Sequence, residues 1–562
     1  MPDVIREGWN MLEGRIRFWK QSNILAIALL TVLPAITQGQ LPGTQPLSNQ
    51  DDLAKTMVAG IGRDLDKRIE RVSSDRDASH SAFMKLQGAA QAQATKVKLE
   101  RLAKILGTTD GRVEPVGFEV IASPWKAGAV GHADGLKAFS VRYESLPGVY
   151  GEGVLLEPAG EAKASVVLLP DAAHTPEQHA GLVPGLPQQA RLGAALAEKG
   201  CRVICVALLD RESRFSSNPE IQRFTNLPHR EFLYRGSYEM GRTPTGYEVV
   251  KALAAVDNLL AKDRKLPVAM VGHGEGGRIA LYAGALDNRV SATLVSGAFG
   301  PRESMWQEPI DRNLWGILLE HGDAQVADLH GDRGLVIETS QVPAWSGPTP
   351  GPRGNQAAPG SITSVSSAAA GKEFASSARS RKPGGLDDLV NSPDGLPGTQ
   401  KALARLAKHL NVAFADGKPS LWNITGQVPD HVARQKRQLD QLLWHVHRLW
   451  RASHRVRDAA WAGVSRSGPE SWQSFTGEKR RFFATEVIGE LPAPEIQPNA
   501  KSRPWKNGKN WKGHEVTLDL GPDVFAYGIL LLPNNIRPGE RRPVVVCQHG
   551  LEGRQSDVYD PD

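Results

Sequence analysis

Cysteine is scarce in this sequence, with three among 562 residues. Cys201 and Cys205 lie in the apolar run CRVICVAL, and Cys547 lies in PVVVCQHG; both runs are typical of buried strands. On one strand, positions 201 and 205 would stand about 13 Å apart at about 3.3 Å per residue, which is too far for a disulfide. The sequence therefore predicts three buried core thiols, no disulfide framework and no metal site.

Strong charge of one sign and long apolar runs are also missing. The net charge of +6 is mild for this length and does not by itself indicate a nucleic-acid partner. One apolar stretch, NILAIALLTVLPAI, follows the positively charged RIRFWK, but it is short for a membrane span and Pro34 interrupts it. We therefore predict a signal peptide over residues 1–39, no stable span after its removal, and a secreted or periplasmic protein. An uncleaved membrane anchor is the alternative.

The remaining composition is that of a soluble globular chain, with 40% hydrophobic and 23% charged residues. Residues 40–110 show helical spacing, with Gly107 as a predicted helix stop. Over residues 111–345, apolar strands alternate with helices. Several of these strands are apolar throughout, which predicts an α/β domain with a mainly parallel sheet and helices on both faces.

Residues 346–430 are rich in Pro, Gly, Ser and Ala and predict a linker with short helices. Residues 431–499 predict a helical region. Its long helix has one apolar stripe, made of Leu439, Leu442, Leu443, Val446, Leu449 and Trp450.

Basic residues and histidines on the same helix admit other interpretations. A nucleic-acid surface is possible, but a solvated face opposite a buried stripe is favoured, so we expect no nucleic acid. The spacing of His445, His447 and His454 does not bring three imidazoles to one point on a helix, so we expect no metal ion there.

One segment of the sequence recurs. PGVYGEGVLLEP, residues 147–158, matches PDVFAYGILLLP, residues 522–533, without gaps. Each copy precedes another apolar run, SVVLLPD in the first case and PVVVCQHG in the second. The repeat predicts that residues 500–562 begin a second domain of the same type, which the sequence does not complete; chance similarity is the alternative.

The stretch PVAMVGHGEGGRIALYAGAL places a glycine-dense turn between a predicted strand and a predicted helix. That is the layout of the nucleophile elbow G-x-S-x-G. The five elbow positions are Gly272, His273, Gly274, Glu275 and Gly276, and Gly274 stands where a serine is expected.

These motifs resemble the α/β-hydrolase superfamily, and within it the bacterial acetyl xylan esterase-like and dienelactone hydrolase-like proteins. GHGEGG is similar to the family's GHSxGG elbow, and CQHGLEGR, with His549 and Gly550, resembles the loop that helps to build an oxyanion hole. In the first domain the corresponding PDAAHTPEQ departs from that pattern. The resemblance implies hydrolysis of carboxylic esters, with a small ester or an acetylated carbohydrate as the partner.

A dinucleotide-binding loop is the competing interpretation, because Gly272, Gly274 and Gly277 fit the spacing G-x-G-x-x-G. Such a loop belongs to the first strand–helix unit of its domain, whereas several predicted strands precede this one. We therefore expect no cofactor.

Three parts of a hydrolytic triad are missing from the first domain. Gly274 carries no nucleophile, the turn TSQVPAWSGP carries no acid, and His409, in a helical segment, is the only histidine between His330 and His431. Glu275 is expected to be a polar residue that opens the helix, with activation of water as the alternative. His273 is expected to be a turn residue beside the pocket.

Two functional classes remain at this stage, and whether the chain is an enzyme stays open. In the first, the chain is a secreted relative of carboxylic (acetyl) ester hydrolases whose first domain is inactive, and any activity would belong to the second domain. In the second, it is a non-catalytic binding or structural protein built on a degenerate hydrolase domain.

Overall fold

The computed structural model describes residues 40–122, 128–348, 357–415, 421–464, 468–491, 493–494, 496–550, 553–555 and 557. The predicted signal peptide lies outside the described residues. Two compact units are present: a body of residues 68–488, and a terminal unit that joins the residues before 68 to those from 489 onward. Within the described part, no helix combines the length and the apolar character that a bilayer span requires.

The described helices confirm the predicted helical N-terminal region, and Gly107 ends its second helix in a left-handed conformation with φ +79°. In chain order, the α-helices of the described residues are α1 Leu53–Phe83, α2 Gly88–Leu106, α3 Pro176–His179, α4 Leu192–Glu198, α5 His229–Glu239, α6 Pro244–Lys262, α7 Glu275–Leu286, α8 Ile317–Glu320, α9 Asp323–Leu329, α10 Ser367–Ser376, α11 Gln400–Leu410, α12 His431–Trp461 and α13 Pro469–Phe482.

Strands form the second component. In chain order they are β1 Gln45–Pro46, β2 Glu119–Val120, β3 Ala129–Ala133, β4 Leu136–Leu146, β5 Val149–Pro158, β6 Ser165–Leu169, β7 Arg202–Val206, β8 Val268–His273, β9 Val290–Ser296, β10 Gly334–Thr339, β11 Trp345–Ser346, β12 Ser361–Ile362, β13 Leu389–Asn391, β14 Asn423–Ile424, β15 Lys501–Asn507, β16 Trp511–Asp519 and β17 Phe525–Pro533.

The body is built on one large sheet in the order β13-β10-β9-β8-β6-β7-β5-β4-β3-β14, with β2 beside β4. The run from β13 to β7 is parallel, and β5, β4 and β3 continue it as an antiparallel meander. Strands β3, β4 and β5 therefore form the antiparallel side of the sheet. The later strands β6 to β10, together with β13, form its parallel side. This is the α/β-hydrolase arrangement, and the predicted fold class is confirmed.

The two faces of this sheet bury separate apolar clusters, which explains why its central strands are apolar throughout. Helices α6 and α7 cover one face, and α4 and α11 cover the other. Cys201 and Cys205 lie in the second cluster as free, buried thiols, as predicted. Burial raises the pKa of Cys201 to about 12, so this thiol is protonated at neutral pH.

Short elements occur within residues 346–430, where the sequence predicted a linker with short helices. The structure adds β13, which pairs with β10 and extends the sheet. Leu403 and Leu406 of α11 are buried against the same sheet. Thr399 caps this helix through its side chain. Small residues dominate the composition of this region. The composition therefore did not predict that Leu403 and Leu406 would pack against the sheet.

The apolar stripe of α12 is buried over only part of its length. Leu439, Leu442 and Val446 are buried in a third cluster, whereas Trp450 is 61% exposed, so its predicted burial is wrong. The helix extends farther than the surface on which it packs. His445 is also buried, and its ring bonds to the hydroxyl of Tyr247.

The terminal unit contains the sheet β1-β15-β16-β17. Its meander β15-β16-β17 repeats the register of β3-β4-β5: Leu136 pairs with Pro158, and Trp511 pairs with Pro533. The first strand pair in each copy also shifts register by one residue at the corresponding place, between Ala129 and Gly131 and between Pro504 and Asn507. Two sequences that share only scattered residues thus specify one meander.

The repeat does not extend to the next apolar run. Val544, Val545 and Val546 are 80% exposed or more and form no strand, and Cys547 is exposed, so its prediction as a buried thiol is wrong. In the body, the corresponding β6 is buried because β7 and β8 flank it. Among the described residues of the terminal unit, no strand takes those flanking places.

Candidate functional site

Gly274 lies between β8 and α7, at the carboxyl edge of the sheet. Its φ of +57° and ψ of −120° form the sharp turn of an elbow, and α7 starts at Glu275. The neighbouring glycines allow close approach: a Cβ on Gly272 would lie 2.1 Å from the carbonyl oxygen of Gly276, and one on Gly276 would lie 2.0 Å from that of Leu169. The backbone therefore has the shape that holds a nucleophile, without the side chain.

The carboxylate of Asp171 fills the place where that side chain would stand. A Cβ on Gly274 would lie 2.3 Å from Asp171 Oδ2. The same oxygen accepts the backbone N–H of Glu275 at 2.8 Å, and Oδ1 accepts that of Ala173 at 2.9 Å. In hydrolases of this fold, the N–H after the nucleophile helps to bind the oxyanion. In this chain the carboxylate of Asp171 accepts a hydrogen bond from that N–H group.

Sequence reasoning missed Asp171, although a signal was present. Asp171 is the second residue of PDAAHTPEQ, the loop after β6 where the family pattern has its His-Gly pair, and this departure was the only clue. Because Asp171 is 3% exposed, its carboxylate is held by the protein rather than by solvent. The loop that normally helps to bind an oxyanion thus supplies an anion instead.

Glu275 is fully buried and belongs to an ion-pair network, not to a helix surface. Its carboxylate pairs with Arg211 at 2.6 Å, Arg230 at 3.3 Å and Arg312 at 2.6 Å. Burial opposes ionisation, but these arginines hold the pKa of Glu275 well below its usual range. Both oxygens are engaged, so the alternative in which Glu275 activates water is wrong. Glu275 does open α7, as expected, and its carboxylate is also buried in this network.

His273 is one of three imidazoles beside the elbow. Its Nε2–H donates to the carbonyl oxygen of Gln341 at 2.8 Å. Its ring stacks on His174 with centroids 6.2 Å apart, and His179 packs against His174 at 5.6 Å. Burial lowers the pKa values of His174 and His179, so both rings are neutral at pH 7. Within the part of the chain that the structure describes, none of the three is hydrogen-bonded to a carboxylate in the way a triad requires.

Neither Glu338 nor His409 acts as the acid or the histidine of a triad, because each is bound into the structure elsewhere. Glu338, the last acidic residue on β10, is buried and accepts the backbone N–H groups of Gly398 and Thr399 at 2.7 and 2.8 Å, so it holds the start of α11. His409 bonds to Asp388 at 2.8 Å. It packs against Gly334 at the amino end of β10, the edge opposite the elbow.

A cavity of about 360 Å³ opens beside the elbow, also at the carboxyl edge. In doubly wound sheets this edge is where ligands bind. The polar side chains that line the cavity include Asp171 and Asp210. Its two arginines, Arg211 and Arg214, come from the loop after β7, and its apolar walls include Phe215 and Trp345. The lining comprises Asp171, Ala172, Ala173, Asp210, Arg211, Glu212, Arg214, Phe215, His229, Pro343, Ala344, Trp345, His431, Val432 and Gln435.

Asp210 lies between two histidines of this cavity. His229 donates from Nδ1 to Asp210 Oδ1 at 2.7 Å, because its Nε2 accepts the N–H of Phe215 at 2.9 Å. His431 Nε2 lies 3.5 Å from Asp210 Oδ2, and its buried Nδ1 has no hydrogen-bond partner among the described residues. Burial opposes ionisation of Asp210, but the hydrogen bonds from both histidines lower its pKa well below the usual range. Sequence reasoning missed this cluster, because its members are separated by up to about 220 residues.

His549 and Gly550, the expected oxyanion loop of the second domain, follow the exposed valines of the terminal unit. The ring of His549 bonds to the carbonyl oxygen of Gly550 at 2.8 Å, and both groups face solvent. Residues 541–548, directly before them, form no strand, and the described residues of the terminal unit contain no strand-to-helix elbow for this loop to face. Their role in an oxyanion hole stays a prediction.

No protein-family model matches the chain, and no curated protein matches it. Solved structures with similar folds include a provisionally assigned acetyl xylan esterase from Bacteroides fragilis, with 11% identity, a TM-score of 0.37, and coverage of 61% of this chain and 90% of that one. A glucuronoyl esterase from Solibacter usitatus has 15% identity, a TM-score of 0.31, and coverage of 56% and 92%. Acetyl xylan esterase 1 from Thermoanaerobacterium sp. has 12% identity, a TM-score of 0.27, and coverage of 44% and 78%. Identities this low concern the fold alone.

Proposed function

We propose that the body is a non-catalytic ligand-binding domain on an α/β-hydrolase scaffold, in a secreted or periplasmic protein related to carboxylic ester hydrolases. One observation carries the proposal: the Asp171 carboxylate occupies both the space of the missing nucleophile and the N–H of Glu275. An anion at that position repels the oxyanion of a tetrahedral intermediate, which such a site must stabilise.

The cavity supports binding as the remaining activity. Its volume lies within the usual range for small-molecule sites, roughly 300–1,000 Å³. Phe215 and Trp345 offer flat apolar walls, and Asp210 and His431 offer hydrogen-bond partners for hydroxyl and carbonyl groups. A small ester or one acetylated sugar unit matches this mixture, and its acetyl group would remain uncleaved.

Calorimetric titration with an acetylated xylo-oligosaccharide tests the proposal, and the deacetylated oligosaccharide serves as the comparison. Wild-type protein should bind the acetylated form and release no acetate. His431→Gln should weaken binding about tenfold, the cost of roughly one hydrogen bond in a desolvated site. Arg223→Gln is the matched control, because Arg223 is exposed outside the cavity lining. Equal affinity of His431→Gln and Arg223→Gln for the acetylated oligosaccharide would contradict the proposed ligand. So would a wild-type protein that binds neither oligosaccharide.

The repeated meander favours a second candidate. Because β15-β16-β17 reproduces the register of β3-β4-β5, residues 500–562 are proposed as the start of a second hydrolase-type domain, with His549 and Gly550 in its oxyanion loop. Any ester hydrolysis would then belong to that domain. Variants of the exposed valines, described below, test whether this segment is packed in the chain as it stands.

A further inference from the structure

The second half of α12 projects beyond the body. The stripe that buries Leu439, Leu442 and Val446 continues along the same face to Trp450 and Trp461, which are 61% and 42% exposed. From position 450 to position 463, every residue except Ser453 is exposed. The helix therefore carries its apolar face past the surface that covers it.

Helix α13 joins this projection. Trp472 stacks on Trp461 with ring centroids 5.9 Å apart, and Phe475 packs on the same ring at 5.9 Å. Residues 483–488 continue α13 as a π-helical turn. We call the described residues 444–464 and 468–488 the aromatic hairpin; its aromatic contacts hold its two helices together.

Large apolar side chains remain on the outside of the aromatic hairpin. Exposed apolar surface in quantity marks a contact site on a protein, and these side chains all belong to the hairpin. The members that are at least 43% exposed are Trp444, Trp450, Val456, Trp472, Phe482, Phe483, Val487 and Ile488.

Cations are interleaved with these side chains. The hairpin so defined carries seven Lys and Arg against four Asp and Glu, a net charge of +3, where the whole chain has +6. The guanidinium of Arg451 lies 5.6 Å from the ring centre of Trp444, and the ammonium of Lys479 lies 5.5 Å from that of Trp461. The charge complements an anionic partner.

We propose that the aromatic hairpin docks on an anionic lipid surface. Helices that bind at the bilayer interface combine Trp and Phe with Lys and Arg in this way, without spanning it. Nucleic acids also attract basic aromatic surfaces, but they stack their bases on free ring faces. Here Arg451 covers a face of Trp444, and Trp472 covers a face of Trp461. Exposed Val456, Val487 and Ile488 suit acyl chains and add nothing to base stacking.

Flotation of the full chain with vesicles tests the proposal. Vesicles of phosphatidylcholine with about one third phosphatidylglycerol should bind the protein, whereas pure phosphatidylcholine vesicles should bind it at least tenfold more weakly. Arg455→Gln/Arg457→Gln should weaken binding about thirtyfold, since each cation near such a surface contributes about 1 kcal/mol. Trp450→Ala should also weaken it and should lose part of the fluorescence quenching by brominated lipid.

Matched controls separate the hairpin from the rest of the chain. Trp306→Ala removes a tryptophan that is 59% exposed elsewhere on the body, and it should bind as wild type does. Unchanged thermal melts would exclude unfolding of the variants. Vesicle binding that the hairpin variants leave unchanged would overturn the proposal, because another segment would then carry it. Tighter binding to duplex DNA or RNA than to vesicles, or a dimer that buries Trp450, would overturn it as well.

Discussion

Replacing Gly274 by serine restores the serine of the G-x-S-x-G motif, but it should destabilise the folded protein. The new Cβ would lie 2.3 Å from Asp171 Oδ2 and 3.0 Å from its Cγ, so the carboxylate must move. Movement breaks the 2.8 Å hydrogen bond from the N–H of Glu275. A hydrogen bond to a charged group contributes about 1.5–3 kcal/mol. Placing a side chain at φ +57° and ψ −120° adds strain of about 1–3 kcal/mol.

Gly274→Ser should therefore lower the free energy of unfolding by about 3–5 kcal/mol, measured by urea denaturation. In the Asp171→Ala background the clash is absent, so the same substitution should cost only the strain, about 1–3 kcal/mol. The double-mutant cycle should show a coupling of about 2 kcal/mol. Additive effects, or a cost of Gly274→Ser below about 1 kcal/mol, would refute the placement of Asp171.

The other predictions concern the ion-pair network, a buried lysine and the exposed valines. Glu275→Gln should lower the free energy of unfolding by about 3–5 kcal/mol in urea, because three arginines lose their common partner; a loss no greater than that of exposed Glu212→Gln would contradict the network. Burial lowers the pKa of Lys251 to about 8, so the unfolded chain binds more protons between pH 8 and about 10.4 and stability should rise with pH in that window; a pH series of melts should show this rise in wild type but not in Lys251→Met, and an equal rise in both would refute it. Val545→Asp should change stability by less than about 0.5 kcal/mol, whereas Val167→Asp on buried β6 should cost more than about 4 kcal/mol in the same melts; similar losses in both would show that Val545 is packed.

The sequence was informative where local pattern and burial agree. Apolar strands alternating with helices predicted the sheet, and the glycines around Gly274 predicted its turn, because only glycine permits such close backbone contacts. The pattern could not show that Asp171 enters the elbow, since that contact joins residues 103 positions apart. Nor could it show where a stripe stops being covered: Trp450 continues the helical period of Leu439, yet only the body's edge decides that it is exposed. Val545 likewise has the composition of a strand but lacks flanking strands.

Long-range charge pairing was equally hidden. Glu275 stands at the start of a helix, where an acidic residue is common. The sequence around it does not indicate that it pairs with three arginines from separate segments. The same holds for Asp210 and His431, which converge only because β7 ends and α12 begins at the same cavity. Elements follow from local periodicity, whereas sites depend on contacts between distant segments.

Hydrolysis of p-nitrophenyl acetate by purified wild-type, Asp171→Ala and Gly274→Ser/Asp171→Ala proteins shows whether the elbow can catalyse ester hydrolysis. We propose that it cannot, because Asp171 occupies it. All three proteins should show no turnover above the buffer rate: wild type lacks a nucleophile, and the double variant still lacks the acid and histidine with which a serine acts as a unit. Wild-type turnover that disappears in Asp171→Ala would contradict the claim, because the carboxylate would then be a catalytic group.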